Sequence, residues 1–354
     1  MQPIHMSMSS PSTLGVCVIG TGRAGMIHAR NLASGRVRNA ALVALVDPDE
    51  ECRRGASAEL PAARSYVDFR EALADLRVDA VVVATPTTRH CEIAVASAGA
   101  GKHVFCEKPM AMTAGECDEM IGAAESAGIT LQIGFMRRFD AGFVAAKERI
   151  ESGEIGGVVQ VKSLTHGPST PQPWMYDLHH SNGPLAEVNS HDIDTVRWLA
   201  GSEFQEVYAI AGNYRCPDAR PEHPDFYDNV ILTARLESGA QAVITGAQGV
   251  QYGYDARCEV LGEKGLLTIG GLLATSTVAH TPKGMFAPLV RSWSDLFRQA
   301  YEAELQDFAD CIRTECRPRA DGRDGKAAVM VVNAGNRSIR EKRPVLLSEE
   351  GATR

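Results

Sequence analysis

The sequence has no run of 18 or more apolar residues, so no segment of it is suited to cross a bilayer as a helix. It has no surplus of positive charge: 36 Lys and Arg stand against 44 Asp and Glu, a formal charge of −8. Nucleic acids and anionic membrane surfaces are bound by basic patches, so neither is expected as a partner. Its nine cysteines, at 17, 52, 91, 106, 117, 216, 258, 311 and 316, are odd in number and form no C-x-x-C pair. Several lie in apolar runs such as "GVCVIG", where Cys acts as a small hydrophobe. This usage suits a reducing cytoplasm and argues against a disulfide framework. The opening "MQPIHMSMSSPST" lacks the apolar core of a secretory signal, and residues 1–13 are expected to be a disordered tail. His166 and the pair His179-His180 do not follow a metal-ligand spacing such as H-E-x-x-H, and no bound metal is expected. Internal repeats and Gly/Ser linkers are also missing.

What is present divides into two patterns. A chain of 354 residues exceeds the roughly 100–200 residues of one domain, so two are expected. In the first third, short β-branched runs ("LGVCVIG", "ALVALVD", "AVVVAT", "HVFCEK", "TLQIGF") alternate with helical stretches. That alternation predicts a parallel sheet covered on both faces, a Rossmann-type α/β domain over residues 14–136. "TAGE" at 113–116 is a capping box that starts one of its helices. Beyond a helix near 138–152, period-two alternation takes over. "NVILTARLESGAQAVITGAQG" and "RCEVLGEKGLLTIGG" each read as a hairpin, so residues 137–354 are expected to form an α+β domain with a mainly antiparallel sheet. Helices over 294–315 and 325–340 close the chain.

The chemistry-bearing motifs lie at strand ends. "GTGRAG" (Gly20, Thr21, Gly22, Arg23, Ala24, Gly25) follows a strand and opens a helix, the arrangement that holds a dinucleotide pyrophosphate. Asp47 ends the next strand, where a carboxylate bonds ribose hydroxyls and repels a 2′-phosphate, so NAD is expected. NADP is the alternative, because Arg23, Arg53 and Arg54 are near enough in sequence to receive that phosphate. Thr85 and Pro86, and then Glu107 and Lys108, end later strands at the same sheet edge, bordering the cofactor. The competing reading of Thr85-Pro86 is an ordinary strand-to-helix turn. Lys108 is either a solvated turn residue or a cation placed to relay a proton or hold an oxyanion, with Pro109 fixing the turn, as a cis bond in one reading. In "EVNSHDID", a continuous helix would set Glu187, His191 and Asp194 in one stripe. That stripe suits an imidazole oriented by carboxylates, or else a helix N-terminus whose acids merely favour the dipole. Arg137 and Arg138 of "MRRFD" face either a substrate or a salt bridge between domains.

"VIGTGRAG", "ATPTTRH", "FCEKP", "GFMRRFD", "HDIDTVRWL" and "YGYDARCEVLGEKG", in this order, resemble the glucose-fructose oxidoreductase/inositol dehydrogenase family, most nearly its inositol 2-dehydrogenase branch. The resemblance implies a Rossmann domain followed by an open-faced sheet domain, often assembled into dimers or tetramers. It implies a dehydrogenase that oxidises a secondary alcohol of a cyclic polyol or sugar. Lys108 would be catalytic, His191 would exchange the hydroxyl proton with Glu187 orienting the pair, and Asp194 would hold substrate hydroxyls. Arg137 and Tyr252, and less closely His166, match positions that line the polyol site. One departure stands out: the family's first acid is usually Asp, and here it is Glu187. The loop over 166–180 is also peculiar to this chain. Alternatives are a dehydrogenase of another sugar (an anhydrosugar, amino-polyol or nucleotide sugar) and a non-catalytic NAD-binding sensor.

Overall fold

The structure, a computed structural model, describes residues 13–350, so the tail expected over residues 1–13 lies, apart from Thr13, outside the described residues. The first half runs β1 (Leu14–Ile19), α1 (Arg23–Ala33), β2 (Ala40–Val46), α2 (Glu50–Glu59), β3 (Arg64–Tyr66), α3 (Phe69–Leu73), β4 (Ala80–Val83), α4 (His90–Gly99), β5 (His103–Cys106), α5 (Ala114–Ala127) and β6 (Leu131–Ile133). Its strands are all parallel, in the order β3-β2-β1-β4-β5-β6. β1 and β4 are buried along their whole length, as continuous apolar runs between two helix layers must be. The strand order reverses between β1 and β4, and such a reversal opens a crevice beyond the C-terminal strand ends. The capping box forms: Thr113 and Glu116 satisfy each other's backbone at the start of α5. β3 was illegible in the sequence, since "RSY" is three residues long with two of them exposed.

The second half runs α6 (Ala141–Glu151), β7 (Val158–Gly167), α7 (Leu178–Ser181), α8 (Gly183–Glu187), α9 (Ser190–Ala200), β8 (Phe204–Gly212), β9 (Asn229–Leu236), β10 (Gln241–Gln248), β11 (Asp255–Gly262), β12 (Leu266–Ile269), β13 (Ala279–Thr281), β14 (Gly284–Phe286), α10 (Trp293–Leu296), α11 (Arg298–Thr314), α12 (Gly322–Glu341) and β15 (Val345–Leu346). A seven-stranded sheet has the order β12-β11-β7-β10-β9-β8-β15. Both expected hairpins form, β9–β10 and β11–β12, and the pairing is antiparallel except between β7 and β10. α9 and α12 cover the inner face of the sheet, over buried Val230, Leu232 and Ile244. The outer face alternates out of phase and leaves Tyr208, Ile210, Ile231 and Leu261 exposed. α11 returns to the first domain, where Leu305, Phe308 and Ala309 share a core with Val16, Val18 and Phe105. The helix expected over 294–315 breaks at Phe297, between α10 and α11.

The "EVNSHDID" segment is not one helix. Glu187 ends α8, and α9 begins only at Ser190. The N–H groups of Val188 and Asn189 both turn back to the Pro184 carbonyl. The Asn189 amide donates to Asp192 Oδ2 and to the Thr245 carbonyl, so a short polar side chain competes with helix continuation. The stripe of Glu187, His191 and Asp194 therefore does not exist as a helical face.

Candidate active site

A cavity of about 980 Å³ lies at the crevice between the two sheets. Its cofactor end is built by the glycine loop. Gly20 has φ +93°, and a Cβ on it would sit 2.6 Å from the Ala84 carbonyl oxygen. A Cβ on Gly25 would lie 1.8 Å from the Gly20 oxygen, so this glycine lets α1 close on β1. Gly22 caps α1 without a side-chain bond and has open space where a Cβ would point. The first-turn N–H groups of α1 therefore have no capping side chain and no acid of their own, an arrangement that receives phosphate. Asp47 borders the same cavity. Its Oδ2 accepts from the Thr21 N–H and Oγ1, each at 2.8 Å, which fixes the carboxylate toward the crevice. These donors and this acceptor fit a dinucleotide.

Of the expected cofactor residues, Gly20, Gly22, Arg23, Ala24, Asp47, Thr85, Pro86, Glu107 and Lys108 line the cavity. Thr21 and Gly25 act from behind, through Asp47 and through helix packing. Arg53 gives its guanidinium to the Asp47 and Pro48 carbonyls and Arg54 is exposed, whereas Arg70, unnoticed in the sequence, borders the cavity and pairs with Glu92 at 2.5 Å.

The other end is polar and buried. Lys108 follows β5, its bond to Pro109 is cis, and its Nζ donates to the Glu187 carbonyl at 2.7 Å. Glu187 and His191 line the same cavity. Burial pushes the Glu187 carboxyl above its ordinary value, with the Lys108 charge opposing. Burial, with the charges of Lys108 and Arg137, holds His191 well below the ordinary imidazole value, so the ring is neutral. The His191 Nδ1 and Glu187 Oε1 are buried without protein partners. Behind Lys108, Glu107 accepts from His28 Nε2 at 2.6 Å. Burial and the Glu107 charge raise the Glu304 carboxyl well above its ordinary value, so it is protonated. His28, Glu107 and Glu304, not His166, His179 and His180, are the metal-type donors that converge among the described residues.

The remaining expected substrate contacts are placed elsewhere. Asp194 makes a two-pronged ion pair with Arg138, at 2.6 and 2.9 Å, and does not border the cavity. Arg137 is 1% exposed and pairs with Asp192 at 2.8 Å. The two adjacent arginines thus clamp α9 through acids two residues apart, ion pairs within the second domain rather than between domains. His166 bonds Thr245 Oγ1 and the Tyr252 hydroxyl, on the opposite face of β7 from Thr165. Tyr252 is 40% exposed and does not border the cavity, whereas its neighbour but one, Tyr254, lines it, as does Tyr301. Burial pushes the Tyr254 hydroxyl up to about 12, so it stays protonated. Thr165, Trp174, Gln248 and Tyr254 line the cavity and were missed. Period two along β7 was a usable signal for Thr165. Nothing in the sequence marked Trp174, which arrives on the 166–180 loop.

The chain is similar to known proteins over nearly its whole length. Residues 14–135 match the oxidoreductase family with an NAD-binding Rossmann fold, and residues 143–268 match the GFO/IDH/MocA C-terminal domain. The chain is 34% identical to a myo-inositol 2-dehydrogenase of Thermotoga maritima, over 94% of this chain and 98% of that one. It is 32% identical to a scyllo-inositol 2-dehydrogenase (NAD(+)) of Bacillus subtilis, over 95% and 96%. It superposes, with a TM-score of 0.83 and 27% identity over 94% and 96% of the chains, on a myo-inositol dehydrogenase of Lactobacillus casei solved with NAD(H) and myo-inositol. A glycine cradle, an acid-ended second strand and this domain pairing make the chain a member of the GFO/IDH/MocA oxidoreductase family, with an NAD-binding Rossmann domain at its N-terminal end.

Proposed function

We propose that the protein uses NAD to oxidise a secondary alcohol of an inositol-like cyclic polyol to a ketone. The carrying observation is that Lys108, Glu187 and His191, from three separate segments, line one cavity together with the glycine cradle. NAD, when bound, supplies the hydride acceptor. The neutral imidazole of His191 takes the hydroxyl proton, and the Lys108 ammonium stabilises the oxygen as charge develops on it. The Glu187 carbonyl holds the ammonium in place, and its carboxyl faces the same space. Thr165, Gln248 and Tyr254 offer polar groups to ring hydroxyls, and Trp174 offers an apolar face to ring C–H bonds. Asp194, Arg137, Tyr252 and His166 support the site from outside this cavity.

Relatives named for inositols over nearly their full length support the substrate class. No helix among the described residues is long and apolar enough to cross a membrane, and the acidic chain fits a cytoplasmic enzyme without nucleic-acid or membrane partners. The outer sheet face, with Tyr208, Ile210, Ile231 and Leu261 exposed, fits a homodimer or homotetramer built through that face.

The test is NADH formation from NAD with a panel of inositols and sugars. Lys108→Ala and His191→Ala are expected to lower kcat by roughly 10²–10⁴ while NAD binding persists. NAD binding with no turnover of any polyol would turn the reading toward a sensor, and turnover only of another sugar would move the substrate class.

A further inference from the structure

We propose that Cys311 and Cys316 form a site of reversible covalent modification, an intramolecular disulfide at the C-terminal end of α11. The placement follows from how that helix stops. Glu315 is left-handed (φ 53°), and the N–H groups of Glu315 and Cys316 both return to the Cys311 carbonyl, the latter at 3.1 Å. This ending folds the residue after the left-handed one over the residue five earlier, a contact usually made by two apolar side chains. Here both are cysteines, and their sulfurs are 2.7 Å apart. A disulfide bond is ~2.05 Å long, so the pair needs only a small shift to close.

Cys316 is exposed and Cys311 is 2% exposed, which assigns the roles. The Cys316 thiolate attacks a low-molecular-weight disulfide, breaking its S–S bond and releasing one thiol. The Cys311 sulfur then attacks Cys316 in the mixed disulfide, releasing the second thiol. Two protein thiols are oxidised, and one external disulfide is reduced to two thiols that carry the two protons. The new bond would anchor the start of a segment that reaches the first sheet: the Ala320 carbonyl accepts from the Ile133 N–H, and the Arg319 carbonyl accepts from Arg138.

The experiment incubates the full-length protein with oxidised glutathione, blocks free thiols by alkylation and maps tryptic peptides. Arg313 lies between the two cysteines, so trypsin separates them unless the disulfide joins the fragments. The expected result is a linked Cys311–Cys316 pair, loss of two of nine free thiols, and full reversal by dithiothreitol. Cys316→Ser should abolish the linkage and leave Cys311 unmodified. Cys311→Ala should instead accumulate glutathione on Cys316. Nine free thiols after treatment, a stable glutathione adduct on wild-type Cys316, or linkage of either cysteine to another would each overturn the proposal. The linked peptide is read on the wild-type protein, so the result does not depend on how the Cys311 variant folds.

Discussion

Removing Asp192 tests whether buried ion pairs hold α9, the helix that carries His191, in place. Its carboxylate accepts from Arg137 Nη1 at 2.8 Å, Ser163 Oγ at 2.6 Å, Thr165 Oγ1 at 2.7 Å and Asn189 Nδ2 at 2.8 Å. Both members of the Arg137–Asp192 pair are essentially without solvent contact. Asp192→Ala leaves the guanidinium charged and uncompensated, which costs roughly 3–5 kcal/mol for a buried pair. At about 2–4 °C per kcal/mol for a unit of this size, the melting temperature should fall by roughly 6–20 °C. The penalty arises from the stranded charge, so adding Arg137→Met should recover part of it, and the double variant should be more stable than Asp192→Ala alone. Thermal and urea unfolding of the wild type, both singles and the double complete the cycle. A single-variant cost below about 1 kcal/mol, or a double variant no better than Asp192→Ala, would refute the reasoning.

Other expectations follow from the site. Gly25→Ala places a methyl 1.8 Å from the Gly20 oxygen, so NAD affinity should fall sharply in a calorimetric titration, whereas an unchanged Kd means the loop yields. Asp47→Ala should narrow the preference for NAD over NADP, read as the ratio of kcat/KM values, because the carboxylate that excludes a 2′-phosphate is gone. His191 stays neutral below the ordinary imidazole value of about 6.5, so the acid limb of kcat/KM for oxidation should lie below that pH. A limb at 7 or above would assign the titration to another group or deny the imidazole its burial.

Much of the fold was readable because it is local. β-branched runs, the G-x-G-x-x-G loop and hairpins at regular spacing depend on neighbours within a few residues, and the strands, cradle and capping box appear where those patterns lie. The exceptions were short or polar: β3, with too few residues to show a period, and the Val188-Asn189 break, made by a side chain bonding to a distant strand. For the site, the sequence identified the residue types and the strand ends that carry them. It did not reveal which polar residues face inward.

What the sequence determined by itself was the class of chemistry: a glycine turn, an acid one strand later, and a lysine and histidine of the right kinds. What only the tertiary structure decided was the division of the charged residues between reaction and support. Arg137 and Asp194 read as substrate groups on paper, yet each is neutralised in the interior, Arg137 by Asp192 and Asp194 by Arg138. An ionised group loses too much solvation to be buried alone, so each must find a counter-charge, and that partner lies about 55 residues away in the chain. Glu187 and His191 keep side-chain atoms without protein partners beside the cavity, and such a deficit is visible only once every other contact has been made.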